Sequence, residues 1–307
     1  MAGSFARRFG GAPTGAGDMT PFELAEPRSL REAIALLDPD DASVRAVGGG
    51  TAVMLMMKSG FLHPRRLVSL RAIESTYSRA ELDANGGLRI GALTPLSIIE
   101  NSGVVRAAAP VIVQTLRTLS NVRVRNVATL GGHLAHADPH MDLPPVLVAL
   151  GARITIAGPR GERSLAVEDL ATGYYETVLG RTELIAELHV PPPGRIRAAY
   201  FKCTTRAADD WPALGVAVAL DADATLIREV KVVISAATDK PTRLTAAESV
   251  LRGGGIGDAL LRKAADAAAD EAAVIGDQHG TAAYKRQLVR VYVERALRKA
   301  LAAPYPH

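Results

Sequence analysis

The chain has 307 residues, which at about 150 residues per domain predicts two domains, and its 48% hydrophobic and 22% charged residues exclude a disordered protein. The net charge of +4 is dispersed, which argues against a nucleic-acid-binding surface, and no uncharged stretch approaches the roughly 20 apolar residues of a transmembrane helix. The single cysteine, Cys203, excludes an internal disulfide, an iron–sulfur cluster and a cysteine-rich zinc site, and it fits a reducing cytoplasm.

The first part of the chain predicts short strands and helices around two glycine-rich loops. Residues 1–18 are rich in glycine and alanine without apolar periodicity, which predicts a disordered tail. Ser29 begins a predicted helix because Glu32 follows it at capping-box spacing. The stretch 134–149 is interpreted as a polar segment that prolines interrupt. The remaining predicted elements are strands at 44–47, 66–70, 88–92, 153–157 and 182–190 and helices at 52–58 and 107–119.

A run of three prolines and a glycine at 191–194 predicts a linker, after which the pattern changes. Three predicted strands are followed by alanine-rich helices, an order that is typical of an α+β module. The last helix is amphipathic, with Tyr284, Leu288, Val291 and Arg295 on one face, and is expected to pack against the sheet. The strands are predicted at 199–204, 213–220 and 230–236 and the helices at 244–251, 258–275 and 281–300.

Two glycine loops are the most informative feature of the sequence. Residues 48–51 read Gly-Gly-Gly-Thr after a predicted strand, and residues 129–133 read Thr-Leu-Gly-Gly-His. Such a loop exposes backbone N–H groups at a helix N-terminus, where the helix dipole favours a phosphate. Either loop alone is more often a tight turn, but two loops of this type could bind both ends of a pyrophosphate. Neither loop fits the P-loop or the G-x-G-x-x-G pattern.

A second cluster combines three imidazoles and two carboxylates within ten residues. These residue types are used in zinc and iron sites, so a metal-dependent hydrolase is one hypothesis. Pro139 interrupts any helix through the cluster, which removes the one-turn spacing that paired histidine ligands need. Contacts to a loop or cofactor and a solvated surface are the other hypotheses. The five residues are His133, His136, Asp138, His140 and Asp142.

Four segments resemble one protein family. The segments are 48–60 (GGGTAVMLMMKSG), 125–152 (RNVATLGGHLAHADPHMDLPPVLVALGA), 200–220 (YFKCTTRAADDWPALGVAVAL) and 277–300 (DQHGTAAYKRQLVRVYVERALRKA). They resemble the FAD-binding medium subunit of molybdenum hydroxylases, as in aerobic carbon monoxide dehydrogenase, and the flavin domain of xanthine dehydrogenase. The resemblance extends from about Met19 to Ala300.

The resemblance implies an α+β fold with two domains. Residues 19–195 would form a two-lobed PCMH-type, vanillyl-alcohol-oxidase-like FAD-binding domain, with the lobes dividing near 75–80. Residues 196–304 would form a small α+β C-terminal domain of the CO dehydrogenase flavoprotein type, with a three-stranded antiparallel sheet and helices.

The resemblance also implies cofactor-binding residues and no catalytic acid or base on this chain. Gly48 replaces the family's alanine, Ala52 its usual hydroxyl or acidic residue, and His133 its asparagine, so an asparagine contact must be remade by imidazole or lost. The implied FAD-binding residues are Gly48, Gly49, Gly50, Thr51, Ala52, Thr129, Leu130, Gly131, Gly132, His133, Asp142, Leu184 and Lys202, with no metal ligand among them.

The function implied is electron transfer within an oxidoreductase complex. FAD would be held non-covalently and would pass electrons from [2Fe–2S] clusters of a small partner subunit to an external acceptor. Molybdopterin would lie on a large partner subunit, in a dimer of heterotrimers. The implied location is the cytoplasm, with the inner face of the membrane as the alternative. A self-sufficient FAD-dependent oxidoreductase and the metal-dependent hydrolase remain as competing hypotheses.

Overall fold

The computed structural model describes residues 7–9 and 20–304, and its first lobe is a small mixed sheet with two helices. The sheet has the order β1-β2-β4-β3, in which β1 is antiparallel to β2 and the other neighbours are parallel. Its elements are β1 (Arg7–Phe9), β2 (Phe22–Ala25), α1 (Leu30–Leu36), β3 (Val44–Val47), α2 (Thr51–Lys58) and β4 (Arg66–Ser69).

The predicted start of α1 is confirmed at Ser29. Its Oγ accepts a hydrogen bond from the backbone N–H of Glu32 at 3.1 Å. The Glu32 carboxylate returns to the N–H of Arg28, at 2.9 Å, rather than to that of Ser29. Two of the free N–H groups at the start of this segment are therefore satisfied by side chains.

The tail that was predicted to be disordered contributes a strand. Arg7–Phe9 pairs antiparallel with Phe22–Ala25, so backbone groups at the open edge of β2 gain hydrogen-bond partners. Residues 1–6 and 10–19 lie outside the described residues.

The second lobe is a five-stranded antiparallel sheet with short helices, in the order β5-β6-β11-β7-β8. Its strands are β5 (Ala80–Leu82), β6 (Leu88–Gly91), β7 (Arg153–Gly158), β8 (Gly161–Ala166) and β11 (Leu184–Val190); a small hairpin is formed by β9 (Ala171–Gly173) and β10 (Glu176–Thr177). Its helices are α3 (Leu96–Asn101), α4 (Gly103–Ala108), α5 (Pro110–Leu116), α6 (Val122–Arg125), α7 (Leu130–His136) and α8 (Leu143–Ala149). Short 3₁₀ helices lie at Ser75–Ser78 and Val167–Asp169.

Proline positions explain two differences from the prediction. The helix predicted at 107–119 is split, because Pro110 cannot continue a helix and instead starts α5. The stretch 134–149 is not uniformly polar, since it contains the buried helix α8. Pro144 lies in the first turn of α8, where the missing N–H costs nothing.

The C-terminal unit is an antiparallel sheet covered by three helices. Its long strands β12 (Arg197–Cys203), β13 (Leu214–Ala222) and β14 (Ile227–Ser235) agree with the predicted three-stranded sheet, to which the structure adds the two-residue β15 (Thr242–Arg243). Its helices are α9 (Thr245–Leu251), α10 (Asp258–Glu271) and α11 (Ala282–Ala302).

This C-terminal sheet is buried on both faces. One face packs on α9, α10 and α11 in an apolar cluster that includes Val216, Val218 and Val232. The other face contributes Ala217 and Val233 to the core of the second lobe, in which α8 is buried. The C-terminal sheet therefore belongs to two cores, that of its own unit and that of the second lobe.

The buried face of α11 differs from the predicted one. Tyr284 and Val291 are exposed, whereas Val289 and Val293 are buried together with Lys285. The buried face continues through Ala296, Leu297 and Ala300, one position along from the predicted stripe. In the described ranges no helix is long and apolar enough to cross a membrane.

Candidate functional site

The first glycine loop connects β3 to α2 and presents a run of backbone donors. Gly50 is the N-terminal cap of α2 and has a φ of +76°, a left-handed conformation that favours glycine. No described residue accepts a hydrogen bond from the N–H groups of Gly48, Gly49, Gly50, Thr51 and Ala52. The positive end of the α2 dipole lies at the same place. This loop can therefore bind an anion through main-chain groups.

The second glycine loop uses its backbone donors within the protein. Leu130 donates its N–H to the carbonyl of Thr94 at 3.1 Å, and Gly131 donates to that of Ala92 at 2.7 Å. The N–H of Gly132 donates to Oγ1 of Thr129, the N-cap of α7, at 3.3 Å. This loop follows helix α6, not a strand as in the first loop. The similar glycine patterns therefore have different structural roles.

The two loops are in contact although they are far apart in the sequence. A Cβ on Gly48 would lie 2.7 Å from Thr129 Oγ1, and a Cβ on Gly49 would overlap the backbone carbonyl of Val127. Thr129 Oγ1 is also the nearest atom to a Cβ on Gly132, at 3.0 Å. Thr129 therefore lies where the two loops meet.

His133 comes directly after Gly132, and its buried Nε2 atom has no hydrogen-bond partner in the described protein. Its side chain is 6% exposed. Burial, together with the charge of His136, lowers the pKa of His133 to about 4. The imidazole is therefore neutral near pH 7.

Asp142 and Lys202 are brought together at the contact between the second lobe and β12. Lys202 Nζ lies 3.0 Å from Asp142 Oδ2 and also donates to the carbonyl of Thr118 at 2.9 Å. The hydroxyl of Tyr200 donates to Asp142 Oδ1 at 2.6 Å. Burial raises the pKa of Asp142 and that of Tyr200, although Lys202 opposes the shift at Asp142. Asp142 and Lys202 were both predicted to contact the flavin, and in the structure their polar side-chain atoms bond to each other.

Leu184 lies in a different environment from the other predicted residues. It is buried at the start of β11 in an apolar cluster that joins the first lobe to the five-stranded sheet, with Val44 and Leu70. A side chain of this kind offers packing and no hydrogen bond.

The histidine–aspartate cluster does not converge on one point: Asp138 and His140 bond each other, Asp142 bonds Tyr200 and Lys202, and the remaining histidines lie elsewhere. His136 packs against Tyr175 with ring centroids 5.1 Å apart, and both ring nitrogens of His140 lie 3.0 Å from carboxylate oxygens. Within residues 7–9 and 20–304, no group of three or more such side chains could hold a metal ion. The arrangement gives no support to the metal-dependent hydrolase.

Sequence analysis missed three polar residues at the junction between the second lobe and the C-terminal unit: Tyr200, Asp277 and Lys285. One signal was available for Lys285, because it precedes Val289 and Val293 at four-residue spacing and so shares their buried face. A single sequence contains no comparable signal for Asp277 or Tyr200.

Comparison with known proteins agrees with this architecture. Residues 20–193 match the family model described as "FAD binding domain in molybdopterin dehydrogenase", and residues 199–300 match "CO dehydrogenase flavoprotein C-terminal domain". The glyceraldehyde dehydrogenase medium chain of Sulfolobus acidocaldarius is 29% identical, covering 91% of this chain and 98% of the relative. The carbon monoxide dehydrogenase medium chain of Hydrogenophaga pseudoflava is 28% identical, covering 92% and 97%.

A solved structure shows the same fold. Carbon monoxide dehydrogenase from Hydrogenophaga pseudoflava superimposes with a TM-score of 0.87 at 29% identity, over 92% of this chain and 97% of that one. This likeness confirms the α+β fold and the resemblance found in the sequence. The chain belongs to the family of FAD-binding domains in molybdopterin dehydrogenases, followed by a CO dehydrogenase flavoprotein C-terminal domain.

Proposed function

We propose that this chain is the electron-transfer subunit of a molybdenum hydroxylase complex. It would accept electrons from [2Fe–2S] clusters on a small partner subunit and deliver them to an external acceptor. Molybdopterin would lie on a large partner subunit, in a dimer of heterotrimers. The proposal includes a division of the chain into a tail at 1–18, an FAD-binding domain at 19–195 with lobes meeting near 75–80, and a C-terminal domain at 196–304.

The observation that carries this proposal is the run of unbonded N–H groups in the first glycine loop. The diphosphate of FAD has the charge and the acceptor oxygens that these donors and the α2 dipole favour. The second loop supports the proposal by packing against the first through Thr129 and Val127. We assign the diphosphate mainly to Gly48–Ala52 and a scaffolding role to Thr129–Gly132.

His133 is consistent with a polar group from outside the chain. Its buried Nε2 lacks a partner, and leaving such an atom unsatisfied costs about 1–3 kcal/mol, which a hydrogen bond from a bound cofactor would recover. The neutral imidazole can donate or accept there, as the asparagine of related proteins would. His133 thus fits FAD without a requirement for the asparagine.

The C-terminal unit would help to orient the cofactor. Lys202 and Asp142 form a buried ion pair between β12 and the segment preceding α8, with side-chain exposures of 6% and 5%. Such a pair fixes the relative positions of the two backbones, because separating it would leave a charge buried and unpaired. When bound, FAD supplies the chemistry that connects one-electron clusters with two-electron acceptors. The chain contributes binding and orientation.

The proposal is tested with the purified chain and with the complex from its native host. We expect the isolated chain to bind one FAD per chain and to show no turnover of organic substrates. In the complex, we expect flavin on this chain and molybdenum and iron on other subunits.

Two results would contradict the proposal. A chain that remains colourless after FAD is added and contains stoichiometric zinc would favour a metal enzyme. A chain that, alone with FAD, oxidises an organic substrate at the rate of the complex would be a self-sufficient oxidoreductase.

A further inference from the structure

A hydrogen-bonded bridge centred on His140 joins the second lobe to the C-terminal unit. His140 Nδ1 lies 3.0 Å from Asp138 Oδ1, on the same loop, and Nε2 lies 3.0 Å from Asp277 Oδ2, between α10 and α11. The N–H of His140 also donates to Asp138 Oδ1 at 2.9 Å. We call Asp138, His140 and Asp277 the His140 bridge.

The C-terminal end of this bridge is held by a buried lysine. Lys285 is fully buried on α11, and its Nζ donates to Asp277 Oδ2 at 2.7 Å and to the carbonyl of Ala236 at 2.7 Å. The N–H of Ala236 in turn donates to the carbonyl of Pro139 at 2.8 Å. Asp277 is thus fixed from one side by Lys285 while it accepts from His140 on the other.

The backbone at this junction is strained on both sides. Ala137 has a φ of 50° and Ala236 a φ of 65°, left-handed conformations that are unfavourable for residues other than glycine. Strain of this kind persists only where surrounding contacts fix the conformation. The His140 bridge and the bond between Ala236 and Pro139 supply such contacts.

The geometry of the bridge requires a charged imidazole. Each ring nitrogen faces a carboxylate oxygen, which only accepts, so both nitrogens must carry a proton for both bonds to form. Burial opposes this charge, but the hydrogen bonds and charges of Asp138 and Asp277 outweigh burial and raise the pKa of His140 above its usual 6.5. Trp211 stacks on the ring, with centroids 5.7 Å apart.

Other titratable groups surround the bridge from each neighbouring segment. The charges of Asp138 and Asp277 act on His140. Lys285 compensates the charge of Asp277. The segments that form the junction also carry other titratable groups: His136, Tyr174, Tyr175, Asp239, Lys240 and His279, together with Arg206, Asp209 and Asp210 on the segment of Trp211.

We propose that His140 is a positioning residue whose protonated form holds the C-terminal unit against the loop that leads from the second glycine loop to Asp142. When His140 loses a proton, one ring nitrogen carries a lone pair that faces a carboxylate oxygen. Neither atom can donate, so one hydrogen bond of the bridge breaks. The loop between His133 and Asp142 is then less firmly held. The effect on the cofactor rests on the proposed function, whereas the bridge itself does not.

The sign of the pH dependence follows from the raised pKa of His140. The unfolded chain loses this proton near pH 6.5, and the folded chain loses it at higher pH. The contribution of the bridge to stability is therefore complete below about pH 6.5 and is lost as the pH rises through the folded pKa.

The test uses the full chain without FAD and three substitutions. His140→Gln mimics the neutral imidazole, Asp138→Asn removes one charge and keeps an acceptor, and His63→Gln is a matched control at an exposed histidine. We expect His140, assigned by NMR from the spectrum of His140→Gln, to titrate above 6.5 with both nitrogens protonated at pH 6. We expect Asp138→Asn to shift this titration to lower pH.

Thermal unfolding supplies the second measurement. At about pH 6 we expect His140→Gln to unfold about 2–4 °C below the wild type and His63→Gln to match the wild type. The difference for His140→Gln should disappear as the pH rises through the His140 titration. A His140 pKa at or below 6.5 would overturn the proposal. So would a difference in unfolding temperature between the wild type and His140→Gln that stays constant with pH.

An FAD titration separates this proposal from the proposed function. We expect the FAD dissociation constant of the wild type and of His63→Gln to rise several-fold over the His140 titration, and that of His140→Gln to be independent of this step. A pH-independent constant for the wild type would overturn the positioning role. If no variant binds FAD, the proposed function fails, and the NMR and unfolding results still decide whether the bridge exists.

Discussion

The two glycine loops have similar sequences and different structures. The first, Gly48–Ala52, leaves its N–H groups unbonded at the start of α2. The second, Thr129–Gly132, uses its N–H groups on Thr94, Ala92 and its own N-cap. Glycine in the first loop allows close contact with the neighbouring loop and leaves the N–H groups unbonded, whereas Gly131 in the second loop allows α7 to pack against Ala92. A glycine pattern therefore indicates that another group can approach the backbone closely. Only the hydrogen-bond partners show whether the N–H groups are used within the protein or left unbonded.

The largest effect is expected from Gly49→Ala. The new Cβ would overlap the carbonyl of Val127, which is backbone and cannot rotate away, so the loops must separate. We expect a loss of about 3 kcal/mol or more in unfolding free energy, accompanied by loss of FAD binding. Denaturant unfolding measures the first effect and fluorescence titration the second.

Gly103→Ala is the matched control, because a Cβ at Gly103 meets no atom within 4 Å. A Gly49→Ala variant as stable as this control would show that the loops do not pack as described.

The second prediction concerns acid stability and compares His133 with asparagine. Burial lowers the pKa of His133 to about 4, so the unfolded chain binds the proton more readily than the folded chain. Stability should fall as the pH drops from about 6.5 towards 4, by up to about 3 kcal/mol. His133→Asn should remove this part of the dependence. Identical acid profiles for the two proteins would mean that His133 is not buried and neutral.

Gly132→Val tests whether the cofactor lies against the second loop. The added side chain would point towards Thr129 Oγ1 at the meeting point of the loops, and valine is no worse than glycine in a helix. We expect FAD affinity to fall at least about tenfold, equivalent to about 1.4 kcal/mol, with little change in unfolding temperature. Unchanged affinity would place the diphosphate entirely on the first loop.

The smallest effect is expected from Thr129→Ala. This change removes the oxygen that caps α7 and should cost about 1 kcal/mol of unfolding free energy in urea. Thr129→Ser retains the oxygen and should restore most of the loss. Equal stability of the alanine and serine variants would show that the 3.3 Å hydrogen bond to Gly132 contributes nothing.

Most of the fold could be predicted because its elements carry local signals. The cap at Ser29, the alternation of the long strands and the glycine positions each act over a few residues. The strand at Arg7–Phe9 was missed because pairing with the edge of β2 depends on a distant segment. Helix α8 was missed because its prolines suggested a loop, although Pro144 and Pro145 lie in the first turn of the helix, where proline is tolerated.

The site could be predicted only in part. The glycines were found because such loops expose backbone N–H groups, and His133 was implied by the family resemblance. Which loop has free N–H groups depends on carbonyls at Ala92 and Thr94. The pairing of Asp142 with Lys202 and of His140 with Asp277 likewise depends on contacts between segments far apart in the sequence. No single-sequence pattern encodes such pairs.

The sheet shared by two cores has a consequence for how the chain can be divided. Severing the polypeptide at 191–194 would leave Ala217 and Val233 of one fragment, and α8 of the other, without the surface that covers them. Each fragment expressed by itself should aggregate, while the two produced in the same cell should reassemble. The proline run therefore connects two parts of the chain that depend on each other for burial of their apolar surfaces.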